Sequence, residues 1–179
     1  MTDSIERDGV ISPSAGRGLG ICIGALFGMG WLYYAITFDH APSWALYAAY
    51  AVTAALVIAG IMHIRSERKS GAKQSNAVRI AFLIVLAIEV GAIVASVILL
   101  QRFHLMQYVV HAIAAIVGLH FLPLAKIFRR PTYYATGLAI VAATAASVVL
   151  LKGEQQWICI GYSAGAILWL TAFIGAAQR

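Results

Sequence analysis

Six long apolar stretches run along the chain, separated by short polar connections. They cover residues 17–36, 43–64, 77–100, 107–128, 133–151 and 157–177. A helix needs about 20 mostly apolar residues to cross the hydrocarbon core of a bilayer. The pattern predicts an all-α, polytopic membrane protein, in which residues 16–179 form one bundle of six transmembrane helices and residues 1–15 form a mobile cytoplasmic tail.

The composition agrees with a multi-pass membrane protein. Hydrophobic residues make up 61% of the chain and charged residues 11%, with a mean hydropathy of +0.84, whereas soluble domains carry about 25% charged residues. The net charge is +6, which in a polytopic protein reflects basic cytoplasmic loops. We therefore expect the lipid bilayer, and no nucleic acid, as the partner.

The basic residues also predict the orientation of the helices, because Lys and Arg concentrate in cytoplasmic loops. They cluster in the connection 65–79 and after the fourth stretch, which places both connections and both termini in the cytoplasm. Two basic residues fall on the opposite side, Arg102 and Lys152.

The candidate chemistry centres on an acidic residue in the third stretch. Glu89 lies close to its middle, where an acidic side chain costs about 2.5 to 3.5 kcal/mol on insertion scales and therefore needs a partner. Counting along the antiparallel fourth helix brings His120 to a similar depth. We predict a contact between Glu89 and His120, either as a binding or proton site or as a structural hydrogen bond.

Two further residues of the fourth stretch belong to this hypothesis. Pro123 removes a backbone hydrogen bond and is expected to free the carbonyl of Leu119, bending the helix beside His120. His111 lies nine residues before His120, half a turn out of phase, so the two histidines are expected to face opposite sides. Because His111 is about one turn from the outer interface, water or a lipid headgroup would satisfy it.

Basic and small residues give two more sets of candidates. Lys126, Arg129 and Arg130 close the fourth helix, where they are expected to anchor the topology and contact anionic lipid, or to bind a lipid headgroup or anion. Glycines predict close helix packing, within the monomer or between protomers of a homo-oligomer. The candidate packing glycines are Gly16, Gly20, Gly24, Gly28, Gly161 and Gly165.

The segment Gly118-Leu-His120-Phe-Leu-Pro123, followed by Tyr133-Tyr134-Ala-Thr-Gly137, resembles a group of small, uncharacterised bacterial membrane proteins with six helices and a G-x-H-F-L-P element. The resemblance implies that fold and the bacterial inner membrane, and implies no activity. A second local segment, Trp169-Leu-Thr-Ala-Phe-Ile174, is similar to the last helix of the acid-gated urea and amide channel family, with Gly175 where that family has an acidic residue.

These observations favour a transporter or channel for a small solute or proton. Two alternatives stay open: an intramembrane enzyme or binder acting on a lipid or quinone, and a packing or assembly subunit of a membrane complex. No nucleophile–base pair is recognisable, which disfavours an enzyme. Neither metal-ligand spacing nor a cofactor motif is present in the sequence, so we expect no metal and no cofactor.

Overall fold

The computed structural model describes residues 16–69 and 76–178, and within these ranges it is helical, without strands. The six helices are α1 Arg17–Phe38, α2 Ser43–Lys69, α3 Asn76–Arg102, α4 Val109–Phe128, α5 Pro131–Leu150 and α6 Glu154–Ala177, with a short 3-10 turn, Met106–Tyr108, before α4. All six are long and apolar enough to cross a membrane. The predicted fold class is confirmed, while the predicted tail at residues 1–15 lies outside the described residues.

The largest differences from the predicted helix ends, at the end of α2 and the start of α6, have a physical reason. The prediction ended α2 at residue 64, whereas the helix continues through the polar residues up to Lys69. Hydrophobicity marks where a helix leaves the membrane, and Arg, Glu and Lys continue a helix into water because they have high helix propensity. Likewise α6 begins at Glu154 rather than at residue 157, where the carboxylate complements the positive end of the helix dipole.

Helices α1 and α6 form the most extensive interface of the bundle. Helix α1 also packs on α2, α6 packs on α5, and α5 packs on α4. Helix α3 is peripheral, since among the helices of the described residues it contacts α4 alone. The protein therefore has one densely packed side around α1 and α6 and one helix attached at its edge.

Glycines allow the close approach of α1 and α6. A Cβ atom at Gly28 would lie 2.5 Å from Trp169 Cδ1, and one at Gly165 would lie 2.9 Å from the Gly28 carbonyl oxygen. Further along, a Cβ at Gly161 would lie 2.7 Å from that of Ala35. Along this contact the residue numbers increase on α1 while they decrease on α6, so the two helices are antiparallel. These glycines and Gly24, which faces Ala172, pack as the glycine pattern predicts.

The other two glycines of the predicted stripe have close neighbours on other helices. Gly16 precedes α1 with φ of 84°, and its N–H donates to the Glu67 carboxylate at 3.1 Å. Gly20 faces the Tyr133 hydroxyl, which would lie 2.7 Å from a Cβ atom at this position. Of the predicted stripe, Gly24 and Gly28 therefore lie in the contact with α6, whereas Gly16 and Gly20 lie at the start of α1.

Two glycine crossings were not predicted. A Cβ atom at Gly18 would lie 2.5 Å from the Gly60 carbonyl oxygen, which joins α1 to α2. One at Gly137 would lie 2.5 Å from the Gly118 carbonyl oxygen, which joins α5 to α4. Small residues thus bring backbones together at three of the interfaces, as in many membrane bundles.

Candidate functional site

Glu89 is the central residue of α3, thirteen residues from either end. It is also the one buried residue of this helix, all of which the structure describes, with 8% of its surface exposed. Its apolar neighbours Ile88 and Val90 are 65% and 54% exposed. The helix is therefore rotated so that its single acidic side chain faces the protein while its apolar side chains face outward, as the cost of an acid in lipid requires.

His120 on α4 is the partner of Glu89. Its Nδ1 lies 3.1 Å from Glu89 Oε2, and the side chains are 10% and 8% exposed. The contact predicted from helix depth is formed. The carboxylate oxygen lies within hydrogen-bonding distance of Nδ1 but outside hydrogen-bond geometry, so one of the two side chains must rotate before a hydrogen bond forms between them.

The chemistry open to this pair is the storage and transfer of a proton. With one proton shared between them, the carboxyl and the imidazole are either both neutral or oppositely charged, so the pair as a whole is neutral. Neutrality matters at this depth because an isolated charge in hydrocarbon is costly. The site can exchange its proton between two groups without placing a net charge in the membrane.

Pro123 borders this site without enclosing it. It lies within α4, which continues as one helix to Phe128, and its side chain is exposed. Leu119, whose carbonyl a proline at this position frees, is 53% exposed. The proline is thus at the outer surface of the bundle, one turn from His120.

His111 does not join Glu89 and His120, as the helical phase predicts. Its ring lies edge-on to Tyr108 at 6.0 Å between centroids. The side chain is 6% exposed, and the backbone of Gln107 lies within reach of its ring. Its burial shows that α4 is rotated so that the ring faces the bundle rather than the interface, and contact with water or a headgroup stays a prediction.

Buried hydroxyls accompany His111 on the neighbouring helix. Gly118 and Gly137 mark the crossing of α4 and α5, and His111 and Thr144 are each seven residues, about two turns, from that crossing toward the same end. Thr144 and Ser147 are 7% and 2% exposed. His111, Thr144 and Ser147 therefore make up a second polar level, which lies between the middle of the bundle and the 3-10 turn. Sequence reasoning missed it because Thr and Ser in an alanine-rich helix also suit tight packing.

The basic candidates separate into two kinds. Lys126 and Arg129 are exposed, as an interfacial anchor would be. Arg130 is half-buried and lines a cleft together with Arg17 at the start of α1. Arg17 is not among the candidates predicted from the sequence, although its place at the same end of the predicted bundle as Arg130 was a usable indication.

Within residues 16–69 and 76–178, no three His, Cys, Asp or Glu side chains are grouped so that they could hold a metal ion. No family model, no curated protein and no solved structure matches this chain. The site must therefore be interpreted from its own geometry.

Proposed function

We propose that this protein is a transporter or channel for a proton or small solute, with Glu89 and His120 as its mid-membrane site. The observation that carries the proposal is the burial of Glu89 against His120 Nδ1 at 3.1 Å, at the centre of a mainly apolar helix that has no other buried residue. Ionisable residues inside membrane spans commonly belong to ion and proton pathways.

A proton is the cargo that fits the pair most simply. Both side chains are about nine-tenths enclosed, and a proton needs no cavity of its own. In the proposed cycle Glu89 accepts the proton from one side, and His120 shares it before release to the other. A solute would move with that proton, through a conformational change that separates α3 from α4.

The second polar level extends this pathway toward one membrane face. The His111 ring is buried, and counting from the crossing of Gly118 with Gly137 places it level with buried Thr144. Nine residues of helix between His111 and His120 correspond to about 13 Å, so water would have to connect the two levels. Imidazole suits such a relay because it can both accept and donate a proton near neutral pH.

The test is proton flux into vesicles that hold the purified protein and an internal pH-sensitive dye, driven by a potassium diffusion potential. We expect wild-type vesicles to change internal pH faster than protein-free vesicles. Glu89→Gln, which keeps the size and loses the charge, should reduce the rate to that of protein-free vesicles. Glu154→Gln, at an exposed acid, is the matched control and should behave as wild type. Wild-type flux that persists in Glu89→Gln would exclude the role of Glu89.

One observation favours a second candidate, the assembly subunit. Helix α3 contacts α4 alone among the described helices, and its outer face carries Leu83, Ile84 and Val94, each more than half exposed. Another protein could cover that face in place of lipid. A chain that produces no flux and co-purifies in mild detergent with one second protein at a fixed ratio would support this candidate over transport.

A further inference from the structure

A narrow cleft lies at one end of the bundle, where three helices begin or end. Arg17 is the first residue of α1, Gln178 follows the end of α6, and Arg130 precedes α5. Thr132, Tyr133 and Thr171 complete the polar lining. Because the ends of membrane-spanning helices lie at the membrane–water interface, this cleft is at the level of the lipid headgroups.

The polar lining of the cleft is rich in donor groups, although the Thr171 hydroxyl donates to the Ile167 carbonyl of its own helix. Two guanidinium groups, one phenol and two threonine hydroxyls line it, and no carboxylate is among the described lining residues. Arg17 Nη1 donates to the Gln178 carbonyl at 2.8 Å, which holds the guanidinium in place. Arg17 Nε is enclosed and has no hydrogen-bond partner among the described residues, so this donor is available to a ligand.

Tyr133 is held rigidly at this cleft. Its ring packs edge-on against Phe121 and Phe128 of α4, with centroid distances of 5.7 and 6.2 Å. Its hydroxyl reaches α1 because Gly20 has no side chain, since a Cβ atom there would lie 2.7 Å from that oxygen. The phenol thus joins α4, α5 and α1 beside the two arginines, and explains why Gly20 is not part of the α1–α6 contact.

We propose that this cleft binds a phosphate group, from the headgroup of an anionic lipid or from free phosphate. Arginine pairs are suited to phosphate because the guanidinium presents several donors in a planar fork. The space within the cleft is about 20 Å³, close to the volume that holds one water molecule. One phosphate oxygen would enter between the arginines while the rest of the group stays at the mouth.

One carboxylate lies near this site and limits its charge. Glu67 accepts hydrogen bonds from the backbone N–H groups of Gly16 and Gly18, at 3.1 and 3.0 Å, on either side of Arg17. It partly offsets the positive charge of Arg17. Glu67 is bound to these backbone N–H groups rather than lining the cleft, so the two guanidinium groups are the charged groups of the described lining.

The experiment compares three probes on delipidated protein in a neutral detergent, with thermal unfolding followed by tryptophan fluorescence. The probes are a short-chain phosphatidylglycerol, a phosphatidylcholine with the same acyl chains, and inorganic phosphate. We expect phosphatidylglycerol to raise the melting temperature more than phosphatidylcholine does. Arg17→Gln and Arg130→Gln should each weaken the apparent affinity at least about tenfold, the loss of one charge-assisted hydrogen bond. Lys126→Gln, an exposed lysine at the same end, is the control and should bind as wild type.

The outcomes separate the two sources of phosphate. Stabilisation by phosphatidylglycerol that the arginine variants lose identifies a lipid headgroup as the ligand. Stabilisation by inorganic phosphate that the same variants lose identifies a free anion. Stabilisation that is absent, or equal in wild type and both arginine variants, overturns the proposal. If Arg17→Gln does not fold, Tyr133→Phe, which keeps the packed ring, replaces it with the same expected loss of affinity.

Discussion

The α1–α6 and α3–α4 interfaces show two ways of holding a membrane helix. Helix α1 meets α6 through glycines whose missing side chains let the backbones touch, with Ala25 fully buried between them. Helix α3 meets α4 through the Glu89–His120 pair and through apolar contacts such as that of Phe82 with Phe128, and Glu89 is its one buried residue. In lipid, close van der Waals packing drives association at the first kind of interface, whereas a polar contact specifies the second.

The two interfaces differ in the free energy that is needed to separate their helices. Separating α1 from α6 would open many close contacts at once. Separating α3 from α4 would expose one polar pair, which a proton can neutralise or a water can solvate. We infer that the edge helix is the mobile element of the bundle and that the α1–α6 side is its fixed scaffold. Three substitutions test this contrast, and each is measured as unfolding in mixed detergent micelles.

The largest effect is expected from a side chain added where α1 packs closely on α2. In Gly18→Leu the new Cβ would meet the Gly60 carbonyl oxygen at 2.5 Å, and backbone cannot move aside as a side chain can. We expect a loss of about 3 kcal/mol, at the upper end for overpacking. Gly30→Leu in the same helix and Gly91→Leu in α3 have open space around the Cβ position, so both should stay within about 0.5 kcal/mol of wild type. Equal effects at all three sites would remove the contrast.

An intermediate effect is expected at the edge helix. His120→Leu leaves Glu89 buried without its partner, and we expect a loss of about 2 kcal/mol, the cost of an unsatisfied buried polar group. In Glu89→Leu/His120→Leu both polar groups are gone, so most of that stability should return. A double variant that is no more stable than His120→Leu would show that the pair contributes by shape and not by charge.

The smallest effect is expected from the removal of a polar contact between α5 and α6. Thr136 Oγ1 and Thr171 Oγ1 lie 2.6 Å apart between α5 and α6, and each hydroxyl also bonds to a carbonyl of its own helix. Thr171→Val should cost about 0.6 kcal/mol, the mean for hydrogen bonds between membrane helices. Thr37→Val, at an exposed hydroxyl bonded within its helix, is the control. A loss as large as that of His120→Leu would mean that polar contacts, too, hold the scaffold.

The fold and the central pair could be predicted because the bilayer constrains both. Its thickness sets the length of each apolar stretch, and its low polarity forces a lone acid to find a partner at its own depth. Counting along antiparallel helices therefore identified His120 as the partner of Glu89. The same count could not show that Pro123 would be exposed, because exposure depends on which helices fail to cover that face.

Features that depend on the rotation of a helix about its own axis could not be predicted from the sequence. The periodic glycines of α1 indicated a packing face, yet the crossing of Gly18 with Gly60 uses a glycine outside that period. The cleft joins Arg17 to Arg130 across most of the chain. Such pairings depend on how each helix turns about its axis in the assembled bundle. Local hydrophobicity does not specify that angle when a helix is apolar on all sides.

The α1–α6 interface also determines when the bundle can close during synthesis. Helix α1 is complete long before α6 leaves the ribosome, a delay on the order of 10 s at ordinary rates of translation. Throughout that interval the face of α1 that carries Gly24 and Gly28 has lipid, or the insertion machinery, in place of α6. The scaffold of the protein is therefore finished last, and the insertion of α3, the most hydropathic span, precedes the contact that fixes the rest.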